Sequence, residues 1–156
     1  MISQYRVLLA VLFCLLAVAP GARAAERDHA NVDKGHLGIK GYDPVAYFEE
    51  GKPQRGDANL TAEHDGVTYR FASEDHLKKF QQDPSHFVPA YGGWCATAFA
   101  EDHGKVDIDP KSFKVTGGRL YLFYKGLLGD ARKAWVKDEP GNIVEANENW
   151  KKTVGE

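Results

Sequence analysis

The 156 residues carry 20 basic and 22 acidic side chains and are 43% apolar. That length predicts one domain, and the slight acidity argues against a nucleic-acid binder, which would normally carry a basic stripe. Two cysteines, Cys14 and Cys95, are too few for a disulfide framework.

The chain opens with a basic residue, Arg6, then the apolar run Val7 to Ala19, then Pro20-Gly21 and the small-x-small sequence Ala22-Arg23-Ala24. This three-part layout predicts a secretory signal peptide over residues 1–24, cleaved near Ala24. The apolar run is shorter than the roughly 20 residues a membrane span needs. Cleavage places the mature chain in the periplasm or outside the cell, with no remaining membrane segment. It also removes Cys14 and leaves Cys95 without an internal disulfide partner. Loss of Arg6 and Arg23 leaves 18 basic against 22 acidic residues, which gives no reason to expect adhesion to anionic lipid.

Residues 25–37 are polar, lack an apolar period and read as a flexible N-terminal arm that includes His29 and His36. The domain is expected over 38–152. Asp43-Pro44 and Gly51-Lys52-Pro53 are turn signals around the short apolar stretch Val45 to Phe48, where Pro44 can open a helical turn. "NLTAEHDGVTYRFAS" predicts a β-hairpin, with Asp65-Gly66 as the turn and Val67, Tyr69 and Phe71 on one buried face. Ser73 is an N-cap candidate for a helix carrying Leu77 and Phe80 and ending at Pro84.

A Pro-rich connection leads to the Gly92-Gly93 pair and a short helix in "WCATAFAED". A second hairpin is expected around Gly117-Gly118, with Phe113 and Val115 on one strand and Leu120, Leu122 and Tyr124 on the next. Leu128, Ala131 and Trp135, then Ile143, Ala146 and Trp150, recur at helical spacing and predict two C-terminal helices. No internal repeat is evident. The fold class is α+β: a small domain of two β-hairpins packed with several short helices.

Cys95 draws the chemistry. A thiol after a tight Gly-Gly turn, near a helix start, suits a soft-metal ligand or a redox centre; a buried inert cysteine is the plainer alternative. The chain has no C-x-x-C, H-E-x-x-H, G-x-S-x-G or Walker loop. A metal held by Cys95 needs further ligands. His86 and His103 lie nine residues before and eight after it, and such a Cys/His set suits copper or zinc. Glu101, Asp102, His103, Asp107 and Asp109 crowd one loop, but without the spacing of a calcium loop. Trp94, beside the thiol, can line a pocket.

Taken together, "GYDPVAYFEEGKPQRGD", "YRFASEDHLKKFQQDPSHFVPAYGGWCA", "DIDPKSF" and "GGRLYLFY", with a downstream Trp, Ala and Asn-Trp pattern, resemble the YHS domain family. They are most similar to its exported single-domain bacterial members, over about residues 38–151. The resemblance implies a compact α+β domain and a metal-associated module of the kind attached to copper-transporting ATPases, heavy-metal proteins and some monooxygenase subunits. The matching residues are Tyr42, Asp43, Pro44, Ala46 and Tyr47 in the first motif. In the second they are Tyr91, Gly92, Gly93, Cys95 and Ala96, and in the third Asp109, Pro110, Gly118, Leu120, Tyr121 and Leu122. Phe87 and Phe113 stand where Tyr and Trp are common, and members with a treble-clef metal site use several cysteines where this chain has one.

The expectation is therefore a periplasmic, non-enzymatic module that binds copper or zinc through Cys95, with His86 or His103 as a second ligand. Tyr42, Asp43, Tyr47, Tyr91, Gly92, Gly93, Trp94 and Asp109 are the candidates for the surrounding cleft. The alternative is a protein-interaction or structural domain with an inert Cys95. A thiol-dependent enzyme ranks third, since no base adjoins the cysteine.

Overall fold

A computed structural model describes residues 29–156; the expected leader, with Cys14, lies outside them. The described residues form the α+β domain that the pattern predicts: six α-helices and three two-stranded antiparallel sheets. Helix α1 (Ala46–Glu49) precedes the first hairpin, β1 (Asp57–His64) and β2 (Val67–Phe71). Helices α2 (Glu74–Gln82) and α3 (Pro84–Phe87) follow, then α4 (Ala96–Ala100) and the second hairpin, β3 (Asp109–Thr116) and β4 (Arg119–Phe123). A two-residue ladder, β5 (Lys125–Gly126) with β6 (Gly129–Asp130), leads to α5 (Arg132–Trp135) and α6 (Glu139–Val154). No helix among the described residues is long and apolar enough to cross a membrane.

Local chemistry sets these elements. Asp65 and Gly66 both adopt positive φ (48° and 77°), the left-handed pair a two-residue hairpin turn needs. Alternation buries Val67, Tyr69 and Phe71, and Phe80 of α2 packs on the last two with ring centroids 5.2 and 5.0 Å apart. Ser73 Oγ accepts the His76 amide at 3.2 Å and caps α2, whose first turn carries Glu74 and Asp75. In the other half, Trp135 is fully buried against Tyr121 and Phe123.

The two halves are the same unit built twice, which the sequence does not announce. The strands of the second hairpin lie 52 residues after those of the first, from Asp57 and Asp109 to Phe71 and Phe123, with a register shift at the same place in each. The parallel bridge Leu37–Thr68 recurs as Pro89–Leu120. The 2.9 Å bond from Asp43 N to Gln54 O recurs, also at 2.9 Å, from Cys95 N to Val106 O. Three consecutive left-handed residues, Ile39, Lys40 and Gly41 (φ 48°, 52° and 77°), match Tyr91, Gly92 and Gly93 (54°, 59° and 84°). Identical residues stand at Gly41 and Gly93, Asp57 and Asp109, Gly66 and Gly118, Tyr69 and Tyr121, and Phe71 and Phe123. Such scattered matches, mostly at turns and core positions, are too few to reveal a repeat by eye.

Two expectations are corrected. The polar arm is not free of the domain from His29 onward. Its Asn31 amide donates to Gly92 O at 2.8 Å, Trp94 Nε1 donates to the His29 carbonyl at 2.6 Å, and Val32 bridges to Gly38. Backbone pairing, which an apolar period does not report, holds it. Leu128 does not belong to a helix with Ala131 and Trp135; it is exposed in the β5–β6 turn, and Gly129 (φ 106°) breaks the chain there.

In the first unit one carboxylate organises the chain. Asp43 is fully buried. Its Oδ1 accepts the amides of Val45 (2.8 Å) and Ala46 (3.4 Å); its Oδ2 accepts the Ala72 amide (2.7 Å) and His76 Nδ1 (2.6 Å). The carboxylate thus clamps the entry to α1, the end of β2 and the first turn of α2. Replacing it with Ala leaves a buried imidazole and three amides without an acceptor. Asp43→Ala is expected to lower the unfolding free energy in urea by about 3–5 kcal/mol. A loss under about 1 kcal/mol would contradict the clamp, being no more than an ordinary surface change causes.

Candidate functional site

The duplication decides how Cys95 is understood. It is the counterpart of Asp43, at the same point after the same left-handed turn. Asp43 takes the amides of residues two, three and 29 positions ahead. The amides of Thr97, Ala98 and Tyr124, at the same three offsets, act on the Cys95 thiol to lower its pKa, without a capping hydrogen bond to the sulfur. The thiol fills an amide cradle that holds a carboxylate in the first unit. Cys95 is only 1% exposed. Burial pushes its pKa up; the Tyr124, Ala98 and Thr97 amides pull the other way without reversing the shift. Its α4 is a five-residue helix, too short to offset that burial.

The expected ligands do not gather around this sulfur. His86 is exposed and packs tilted against Phe48 and edge-on against Phe87, at 4.9 and 4.7 Å between ring centroids. His103 is exposed beside Glu101, Nδ1 to Oε2 3.5 Å. Among the described residues no three His, Cys, Asp or Glu side chains converge on a point where an ion could sit. The acidic loop is no exception: Asp107 is engaged by Lys40 Nζ at 2.7 Å and Asn31 Nδ2 at 3.1 Å, and Asp109 Oδ1 accepts the Lys111 amide at 2.9 Å. The residues present do not fit a Cys95-anchored metal centre.

Most of the other cleft candidates serve the fold. Tyr47 is buried, and its hydroxyl donates to the Pro110 carbonyl at 2.9 Å, joining the two units. Tyr42 is buried beneath the Arg55 guanidinium, 4.5 Å from its ring centroid. Asp43 spends both oxygens in its clamp. Trp94 holds the arm, and Gly93 completes the left-handed turn.

Tyr91, Gly92 and His86 do share a space. They line a cleft of about 310 Å³ between the turn of the first hairpin, the 85–92 segment and the turn of the second hairpin. His64, Arg119 and Trp150 complete its chemistry. The Arg119 guanidinium lies over the rings of Tyr91 and Tyr121, 5.5 and 5.6 Å from their centroids. Asn147 Oδ1 orients it, accepting from Arg119 Nη1 at 3.2 Å and from the Tyr91 hydroxyl at 3.1 Å. No carboxylate among the described residues pairs with this cation. On the far side Asp65 is engaged by His64, 3.2 Å from Nε2. Sequence reading missed Arg119, Asn147 and Trp150 because a single exposed Arg in a strand carries no motif. The one available signal was the break in symmetry, Arg119 standing where the first unit has the buried Val67.

Comparison with protein-family models, with curated proteins and with solved structures returns no match to this chain.

The buried thiol makes a two-part prediction. In native protein at pH 8, Cys95 is expected to react with an aromatic disulfide reagent at least about a hundredfold more slowly than after denaturation, because it is both shielded and mostly protonated. A thiol whose pKa is raised by folding binds its proton more tightly in the native state. Its contribution to stability is full below the unfolded pKa of about 8.5 and is lost as pH rises toward the higher folded value. The wild type is therefore expected to lose unfolding free energy faster than Cys95→Ala above pH ~8.5. Parallel pH curves would show that folding does not raise the thiol's pKa, and fast native labelling would show that the sulfur is accessible.

Proposed function

We propose that this chain is an exported, non-enzymatic binding module of the YHS type that takes its partner in the cleft between the two hairpin turns. Export rests on the leader pattern over residues 1–24, with cleavage near Ala24 and a periplasmic destination. The family assignment rests on the ordered motifs from Tyr42 to Leu122.

One observation carries the binding reading. Arg119 is held over two tyrosine rings at the mouth of the cleft and oriented by Asn147, and no carboxylate neutralises it. A fixed, unpaired guanidinium beside aromatic walls suits a planar anionic group, since it offers parallel donors to a carboxylate and a face to an aromatic ring. Trp150 and Tyr91 supply apolar wall, and His64 and His86 supply polar edges. This mix of aromatic surface and a few fixed polar groups is the general character of a small-molecule or side-chain pocket. The alternative of a copper or zinc module anchored on Cys95 has less support, because the cradle encloses the sulfur and the candidate histidines point elsewhere.

Benzoate is a suitable minimal probe, followed by amide NMR and Trp fluorescence on the chain from Ala25. Saturable shifts are expected at Arg119, Tyr91 and Trp150. Arg119→Gln should weaken binding about tenfold or more, the equivalent of one charge-assisted hydrogen bond. Unchanged affinity in that variant would overturn the cleft reading. Parallel copper and zinc titrations of wild type and Cys95→Ser test the other: a loss of metal affinity with the thiol would favour it.

A further inference from the structure

Strand β1 carries the triplet Asn59-Leu60-Thr61, an asparagine followed two residues later by a hydroxyl with no proline between. None of the other asparagines, at 31, 142, 147 and 149, has Ser or Thr at that position. In an exported chain this triplet is the acceptor signal for N-glycosylation, provided that it lies on an open surface.

The fold supplies that surface. Asp57 pairs with Phe71 and Thr61 with Arg70, so residues 58–60 are looped out between two pairs that are adjacent on β2. Asn59 stands on this bulge, and it and Thr61 are exposed. Leu60 and Ala62 turn inward and pack against the core. Alternation therefore puts the asparagine and the hydroxyl on one outward face. Among the described residues β1 has no strand on its other edge, and the Thr61 hydroxyl makes no hydrogen bond.

The duplication separates what the fold needs from what it does not. Asp57 Oδ1 accepts the Asn59 amide at 2.8 Å, as Asp109 Oδ1 accepts the Lys111 amide at 2.9 Å. That turn is common to both units, so Asp57 is accounted for by structure. The triplet is not. Its counterparts are Lys111 and Phe113, and Phe113 packs on Tyr47 with ring centroids 4.9 Å apart, whereas Thr61 faces solvent. Asp57 also fixes the carboxamide, accepting from Asn59 Nδ2 at 3.1 Å.

We infer that Asn59 is an N-glycosylation site, receiving a glycan from a lipid-linked glycosyl diphosphate in the exported compartment. Asn59 Nδ2 attacks the anomeric carbon of the donor. The N–C bond forms as the C–O bond to the diphosphate breaks, the lipid diphosphate leaves with that electron pair, and the displaced amide proton passes to a base of the transferase. The inference rests on the export reading and is independent of the cleft.

The test is intact-mass measurement and peptide mapping of the protein isolated from the exported fraction of the cells that make it, with the N-terminus read on the same sample. The expected product starts near Ala25, is heavier than its sequence by a sugar increment, and carries that increment on the peptide containing Asn59. Asn59→Gln and Thr61→Val should each abolish the increment while leaving the unfolding midpoint unchanged, the second because the signal needs the hydroxyl and not merely the amide. A processed, exported chain at its plain sequence mass overturns the proposal and leaves export standing. An increment that survives either substitution overturns it as well. A chain that keeps its leader and stays inside the cell overturns the export reading and this inference with it.

Discussion

The fold depends on the cost of burying a charge. A carboxylate out of contact with water is strongly unfavourable unless its lone pairs are satisfied, and Asp43 has four donors drawn from three segments. The Val45 and Ala46 amides reach it locally, but the Ala72 amide and the His76 imidazole reach it only when the end of β2 and the start of α2 arrive at the turn before α1. His76 continues outward, its Nε2 3.7 Å from Glu50 Oε1. A sequence that reads as a loop, a strand and a helix is thereby made into one cooperative piece.

The second unit keeps the cradle and changes its occupant. A thiol is a weak acceptor, so the cradle contributes less there, and the remaining stability comes from packing. Trp135 is buried on Tyr121 and Phe123, and Asn149 of α6 donates to the Phe99 carbonyl at 2.9 Å to hold that helix on α4. The residues identical in the two units stand mostly at turns and core positions, while the occupant of the cradle and parts of the surface differ. Arg119 in place of Val67, and the β5–β6 ladder in place of a direct helix start, are such differences. The lone cysteine, which attracts attention by its chemistry, is buried with its pKa raised.

Much of the architecture was legible in the sequence because it is written in local terms. Asp65-Gly66 and Gly117-Gly118 announce their turns, alternation in Val67, Tyr69 and Phe71 gives the buried face, and Ser73 marks a helix start. The C-terminal spacing succeeded for Ile143, Ala146 and Trp150 and failed for Leu128, where Gly129 outweighs a coincidental period. The candidate site was less legible. Asp43, Tyr47 and Cys95 were picked out by motif, but a motif does not say whether a residue faces a ligand or the protein's own amides. Arg119, Asn147 and Trp150 come together from three distant places, and no spacing rule connects them.

The fixed 52-residue offset has a consequence for how the chain finds its fold. Each unit closes on itself, through Leu37 with Thr68 and Pro89 with Leu120, so both can begin assembly locally and quickly. Two interchangeable hairpins also invite exchange, either within one chain or between neighbours. The unlike cradles penalise it. The Asp43 carboxylate docked against the second hairpin would be buried without the His76 imidazole, and the Cys95 thiol against the first would leave that imidazole unanswered. The native pairing is the one that gives the His76 imidazole its carboxylate.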